Sequence, residues 1–277
     1  HTDRILHHHS LLDSEITESH VRTARHGYLA NVSYFDDMLG DLLDTLRQTG
    51  LSHNTVVLLT ADHGDMLGEH GLWFKKHFND NASRVPLIVH APEYFANGRS
   101  LVNVSLVDLL PTLCDLAGFK VAEHAPQTLD GSSLVSQCEH PEHSNSGAVY
   151  AEITSEGVPA PMFMVRSGQF KLIQGGDVPP VLYDLANDPE ERSNVVGQPE
   201  LTDTRRSLES LIQDCWDPAS LERDIRLSQR RRRLVHAAHQ KGTAPVWDHR
   251  PEDPTVPWIH RGPELYNDWA WLGIETP

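Results

Sequence analysis

Two side chains that could grip a cation stand side by side at Asp62 and His63, and a lysine follows at Lys75. A carboxylate and an imidazole this close can share one metal ion, and buried groups of this kind need such a partner. Gly64 comes next and permits tight curvature or close approach of a ligand. Another carboxylate, Asp65, follows it. The same residues also fit a plain capped turn, with Asp62 or Asp65 capping the next helix and His63 satisfied by hydrogen bonds. Two ligands do not make a complete site, since calcium takes about six to eight oxygens. Lys75 follows Trp73 and Phe74. It either carries its charge past the rings to water or neutralises an anion that the cation also holds.

The run ahead of the pair must position it. Thr55–Thr60 is apolar and β-branched with no alternation, the pattern of a strand covered on both faces, as in a parallel sheet. In open α/β sheets ligands sit beyond the carboxyl ends of strands, where Asp62 and His63 fall. Upstream, residues 18–49 predict a helix, with Val21, Ala24, Tyr28, Val32, Phe35, Leu39, Leu42 and Leu46 at three- and four-residue steps. Gly50 is its natural stop. Val85–Val89 reads as a second apolar strand, and Val104–Leu116 as a helix broken near Pro111. This order is that of an α/β sheet layer.

Beyond residue 120 the character changes. Residues 121–147 are loop-rich. Ala148–Ile153, Pro161–Ser167, Phe170–Gln174 and Val181–Asp184 predict short antiparallel strands, with Gly168 in a hairpin turn. A helical stretch with breaks is expected from Asp188 to about Gln213. A charged helix follows over Asp217–Lys241, carrying Arg230–Arg233, a run that fits a solvated helix face or a subunit contact. The expected organisation is an irregular lead-in at 1–17, an α/β portion at 18–147, a small antiparallel-sheet and helix subdomain at 148–215, and a charged helix with a Trp- and Pro-rich tail at 216–277.

The formal net charge of −16 argues against nucleic acid as a partner. No apolar run reaches the ~18 residues of a membrane span. Cys114, Cys138 and Cys215 are odd in number and widely spaced, which favours a reducing, cytoplasmic setting. His7-His8-His9 is a metal-capable run that more often has no function. The chain opens on His1 and not Met, and reads as a piece of a longer protein.

The run TADHGDMLGEHGLWFKK (Thr60–Lys76), then SRVPLIVHAP (Ser83–Pro92) and VSLVDLLPTLCDLAG (Val104–Gly118), resembles the C-terminal half of the sulfatases, within the alkaline-phosphatase-like superfamily. Met164–Val196 is similar to their C-terminal subdomain, with its Tyr-Asp-Leu and Asp-Pro-Glu signature. Tyr34–Asp37, the Asp-His-Gly-Asp-Met-Leu-Gly string and the Arg-rich helix ending in Trp247-Asp248 most resemble the choline-sulfatase-like group. The resemblance implies an alkaline-phosphatase-like α/β sandwich, of which this chain holds the C-terminal portion. It implies that Asp62 and His63 ligate a divalent cation, Ca2+ in sulfatases, and that Lys75 contacts the sulfate and the leaving-group oxygen. It implies Glu152 as a carboxylate for a quaternary ammonium, with Glu156 as a rival.

The family's nucleophile is a formylglycine made from Cys or Ser in a Cys/Ser-x-Pro-x-Arg motif, and no cysteine or serine of this chain stands in one. The chain alone is therefore expected to be inactive, holding the metal-and-lysine half of a site. A truncated reading or a separate N-terminal partner segment would account for this, as would a non-catalytic binding or assembly subunit. A homo-oligomer through the tail is also expected. The nearest rival activity is a phosphonate monoester or phosphodiester hydrolase, often with Mn2+. The tail aromatics Trp247, Trp258, Tyr266, Trp269 and Trp271 are candidates for pocket or oligomer contacts.

Overall fold

The computed structural model describes residues 15–120, 128–143, 147–154, 158, 160–176 and 178–242. Helix α1 spans Glu18–Gln48. Thr17 caps it: its hydroxyl accepts from the His20 N–H, and the His20 ring accepts in return from the Thr17 N–H, both at 3.3 Å. This satisfies two otherwise orphaned donors. The chain leaves the helix through Gly50 at φ 74°, a conformation that favours glycine. The expected apolar stripe is only half covered. Val21 and Ala24 are partly buried, whereas Val32, Phe35 and Leu42 are each more than half exposed.

Strand β1, Val57–Thr60, pairs with β4, Leu87–His90, with Leu59 opposite Ile88. The pair is antiparallel, which corrects the expectation of parallel strands. A parallel pair needs a crossover, usually a long helix. The connection at 61–86 holds only β2 (Met66–Leu67), β3 (Trp73–Phe74) and the single-turn helix α2 (Asp80–Ser83). An unbroken apolar run signals burial on both faces and carries no information on direction. Nor is β1 fully covered, since all four of its residues are half-buried.

Strands β2 and β3 form a small hairpin whose turn uses left-handed backbone at Gly68, His70 and Gly71. Helix α3, Leu109–Leu116, follows a tight turn at Leu106–Asp108. Pro111 does not break it. It lies in the first turn, where a missing N–H costs no intrahelical bond. Helix α4 is Val135–Glu139.

The second layer is a four-stranded antiparallel sheet in sequential order: β5 (Ala148–Ile153), β6 (Met162–Ser167), β7 (Phe170–Gly175) and β8 (Val178–Asp184). Gly168 at φ 55° makes the β6–β7 turn, as expected. Met162, Phe163, Met164 and Val165 on β6 are buried, and helix α5 (Thr202–Cys215) packs on β6 and β7 with Leu208 and Ile212 buried. Strand β8 starts three residues before its predicted start because Pro179 and Pro180 are tolerated on an edge strand. The helix expected from Asp188 starts only at Thr202. Side chains take the backbone groups it would need: Asp188 accepts from the Ser193 N–H at 2.7 Å, and Asn194 accepts from the Val196 N–H at 3.1 Å.

The described residues from 15 to 216 form one compact unit, and helix α6 (Pro218–Gln240) belongs to a second. Asp217 caps α6 by accepting from the Ser220 N–H at 3.1 Å. Its Arg230–Arg233 run is exposed. No described helix is long and apolar enough to cross a membrane. His7–His9 and the tail aromatics lie outside the described residues.

Candidate active site

Asp62 and His63 follow the end of β1, with a bend at Asp62, and Lys75 follows the end of β3. The structure brings all three together. His63 Nδ1 lies 2.9 Å from the Gly64 carbonyl, which can only accept, so Nδ1 carries the proton. Nε2 therefore presents its lone pair. It lies 2.8 Å from Lys75 Nζ and 3.2 Å from Asp62 Oδ2. An imidazole whose second nitrogen is fixed by a carbonyl, with its lone pair beside a carboxylate, is the donor arrangement of a metal-ligating histidine, and here that lone pair accepts from the Lys75 ammonium, which a bound ion would displace. The residues thus fit a divalent cation in kind. They do not fill its coordination, since one nitrogen and one carboxylate fall short of the about six to eight oxygens of calcium.

Gly64 holds this geometry. Its N–H donates to the Ala82 carbonyl at 2.8 Å, and a Cβ placed on it would lie 2.0 Å from the Asn81 carbonyl oxygen. Gly64→Ala is expected to destabilise the chain by about 1–3 kcal/mol, as overpacking does. Urea unfolding checks this, and a midpoint equal to that of the parent would show that the contact is not tight.

Lys75 follows Phe74, whose backbone is left-handed at φ 68°. Such a conformation costs on the order of 1–3 kcal/mol in a non-glycine residue and is held only by surrounding structure.

Asp62, His63, Lys75 and Glu152 all line one cleft of about 720 Å³. Glu152 is exposed on β5, on the same face as Tyr150, two residues before it. Burial, then the charges of Cys215 and Asp214, push the Tyr150 phenol above its usual pKa. The Trp216 ring stands edge-on to Tyr150 at 5.8 Å. Glu156 lies outside the described residues. The lining contains five Lys and Arg against three Asp and Glu, and with the buried, paired Lys171 set aside four cations remain. In a chain with net charge −16, that is a local reversal suited to an anion. A larger recess of about 1180 Å³ lies along β4, but it lacks Asp62, His63 and Lys75.

Sequence reasoning missed the charged cluster beneath the cleft. Lys171 on β7 is 1% exposed. Its ammonium donates to the Phe78 carbonyl at 2.9 Å, to Glu191 Oε1 at 2.6 Å and to Asp80 Oδ1. Glu191, 2% exposed and at φ 56°, also accepts from the Asp80 N–H at 2.6 Å. Arg166 reaches Asp80 at 3.4 Å. These bonds tie the segment after Lys75 to the second sheet. Burial, then Glu191 and Asp188, push the Tyr183 phenol up, and a hydrogen bond with Asn79 opposes them. The signal was present in the sequence. A lysine one residue before buried Leu172, and a run of acids at Asp188–Glu191, are charges where apolar residues would be cheaper.

Comparison with known proteins places the chain in a family. The sulfatase family matches residues 9–119. The C-terminal region of N-sulphoglucosamine sulphohydrolase matches 68–217, and the choline sulfatase C terminus matches 223–256. The chain is 37% identical over 255 residues to a choline-sulfatase of Rhizobium meliloti, covering 91% of this chain and 49% of that protein. It is 33% identical to arylsulfatase K of Bos taurus, covering 72% and 38%. The chain thus spans about half or less of the length of these relatives. Among solved structures, a 2-O GAG sulfatase matches with TM-score 0.66 at 28% identity, over 77% of this chain and 48% of that one. Phosphonate monoester hydrolase of Agrobacterium radiobacter matches with TM-score 0.61 at 25% identity, over 77% and 44%. The fold is alkaline-phosphatase-like α/β. On its motifs, its fold and the 150 residues matched by the sulphohydrolase region alone, the chain belongs to the sulfatase family.

Proposed function

We propose that this chain supplies the cation-and-lysine side of a site that hydrolyses a small organosulfate of the choline-sulfate type. The observation that carries the reading is the convergence of Asp62, His63 and Lys75 at one end of a cleft whose charge opposes that of the chain. A divalent cation held by Asp62 Oδ2 and His63 Nε2 would draw charge from the sulfuryl oxygens. Its remaining ligands would come from outside these residues. Lys75 places its ammonium beside the same point, where it can donate to the ester oxygen as negative charge gathers there. Gly64 and its carbonyl hold the His63 ring so that Nε2 keeps its lone pair. The chain by itself turns over no sulfate ester, because none of its residues stands in the nucleophile motif.

Glu152 and Tyr150 supply the substrate end. A carboxylate and an aromatic face on one side of a strand suit a quaternary ammonium. A second reading, phosphonate monoester hydrolysis, is favoured by the phosphonate hydrolase neighbour and by the imidazole ligand, since Ca2+ takes oxygen ligands.

The test uses the complete open reading frame that contains this chain, loaded with Ca2+ or Mn2+. It is assayed on choline sulfate, an aryl sulfate and a phosphonate monoester. Choline sulfate is expected to be the best substrate, and Glu152→Gln is expected to raise KM for it while leaving the aryl sulfate unaffected. Faster phosphonate hydrolysis would establish the second reading. Turnover of none of the three would make the protein a binding subunit.

A further inference from the structure

Away from the cleft, metal-ligating side chains concentrate where α4 ends, in Cys138-Glu139-His140-Pro141-Glu142-His143. His140, Glu142 and His143 each offer one ligand atom, and these atoms lie within 4.8 Å of one another. His140 Nδ1 and His143 Nε2 are each 3.7 Å from Glu142 Oε1. That is too long for hydrogen bonds. The separation nearly matches the edge of a tetrahedron with metal bonds of about 2.1 Å, which is about 3.4 Å. The two rings stack with centroids 4.8 Å apart and planes 24° from parallel.

The loop is held in place by other groups. The Gln137 amide reaches the carbonyls of His140, Pro141 and His143 at 3.4, 3.4 and 3.2 Å, and the Ser100 hydroxyl at 2.9 Å. The His143 N–H donates to the His140 carbonyl at 3.0 Å. Pro141 fixes its own φ and packs on Gly98, where a Cβ would meet its ring at 2.5 Å. The loop backbone is thus set, and a ligand has only the three exposed side chains to order. Two imidazoles and one carboxylate select a borderline ion such as Zn2+ over the hard ions that prefer oxygen alone.

We propose that His140, Glu142 and His143 form a second metal site, for a borderline divalent transition ion of the Zn2+ class, with an open position left for water. It is separate from the cleft, whose lining includes none of the three.

The test titrates Zn2+ into the chain in a background without the histidine run and the cleft pair, H7A/H8A/H9A and D62A/H63A, with circular dichroism confirming the fold of each variant. One Zn2+ per chain is expected to remain and to raise the thermal midpoint. Adding H140A/H143A is expected to weaken binding about tenfold or more and to abolish the thermal shift, and Glu142→Gln to weaken it less. Zn2+ binding that survives H140A/H143A unchanged, or no binding in the background protein, overturns the site.

Discussion

Lys75→Ala in the complete open reading frame is expected to lower kcat for its ester by about 10²–10³-fold, the usual loss when one preorganised donor to a developing oxyanion is removed. The effect should fall on kcat more than on KM, because the ammonium matters most when the ester oxygen takes up charge. Lys75→Arg should restore only part of the rate. Its fork-shaped head cannot replace a point charge 2.8 Å from His63 Nε2. Removing Lys75 also leaves His63 and Asp62 without their neighbouring cation, so divalent-ion affinity should rise or stay level. Calorimetry with Ca2+ and Mn2+ checks this second arm. A variant that keeps full kcat would remove Lys75 from the chemistry. A variant that keeps kcat but loses the ion would make it a structural partner of the pair.

Lys171→Met is expected to destabilise the chain by about 3–5 kcal/mol, the cost of leaving a buried charge without its partner. Glu191 is 2% exposed and the Asp80 side chain 17% exposed, so neither carboxylate can turn readily to water. Unfolding in urea measures the loss. The control is the double variant Lys171→Met with Glu191→Gln, which removes the stranded Glu191 charge, since Asp80 keeps Arg166 at 3.4 Å. It should recover part of the stability, and the cycle gives their coupling. If the single variant unfolds at the parent's midpoint, the cluster contributes nothing to the fold. The same variant in the complete protein should raise KM and lower kcat together, because Asp80 and Phe78 lie just downstream of Lys75.

The sequence made the helix and strand positions legible wherever the signal was local. The β6–β7 hairpin has a glycine at its turn, and α1 has its three- and four-residue apolar spacing and its stop at Gly50. Direction was not local. Thr55–Thr60 said that a strand was present, but the antiparallel β1–β4 pairing depends on what a 26-residue connection can and cannot contain. The stretch after Asp188 misled because acids and a proline resemble a helix start, whereas their side chains bond the backbone of a strap along β8. At the site, the metal-type pair and the lysine were legible as residue types with the right chemistry. Their meeting at one nitrogen was not, since it depends on the hairpin of β2 and β3 and on left-handed Phe74. The buried Lys171 cluster was the hardest to read. Its partners are 91 and 20 residues away in sequence, and nothing in a single strand says which acids will be its neighbours.

That distance in sequence has a further result for how the protein matures. On a ribosome, the segment around Asp80 emerges long before Lys171 and Glu191. Until both arrive, Asp80 and the Phe78 carbonyl have no lysine to meet, and contacts of such long range are slow to form. The reactive end of the molecule should therefore set last, only after translation has passed Glu191. A stalled nascent chain ending before β7 should leave residues 75–84 open to protease, and one extending past α5 should not.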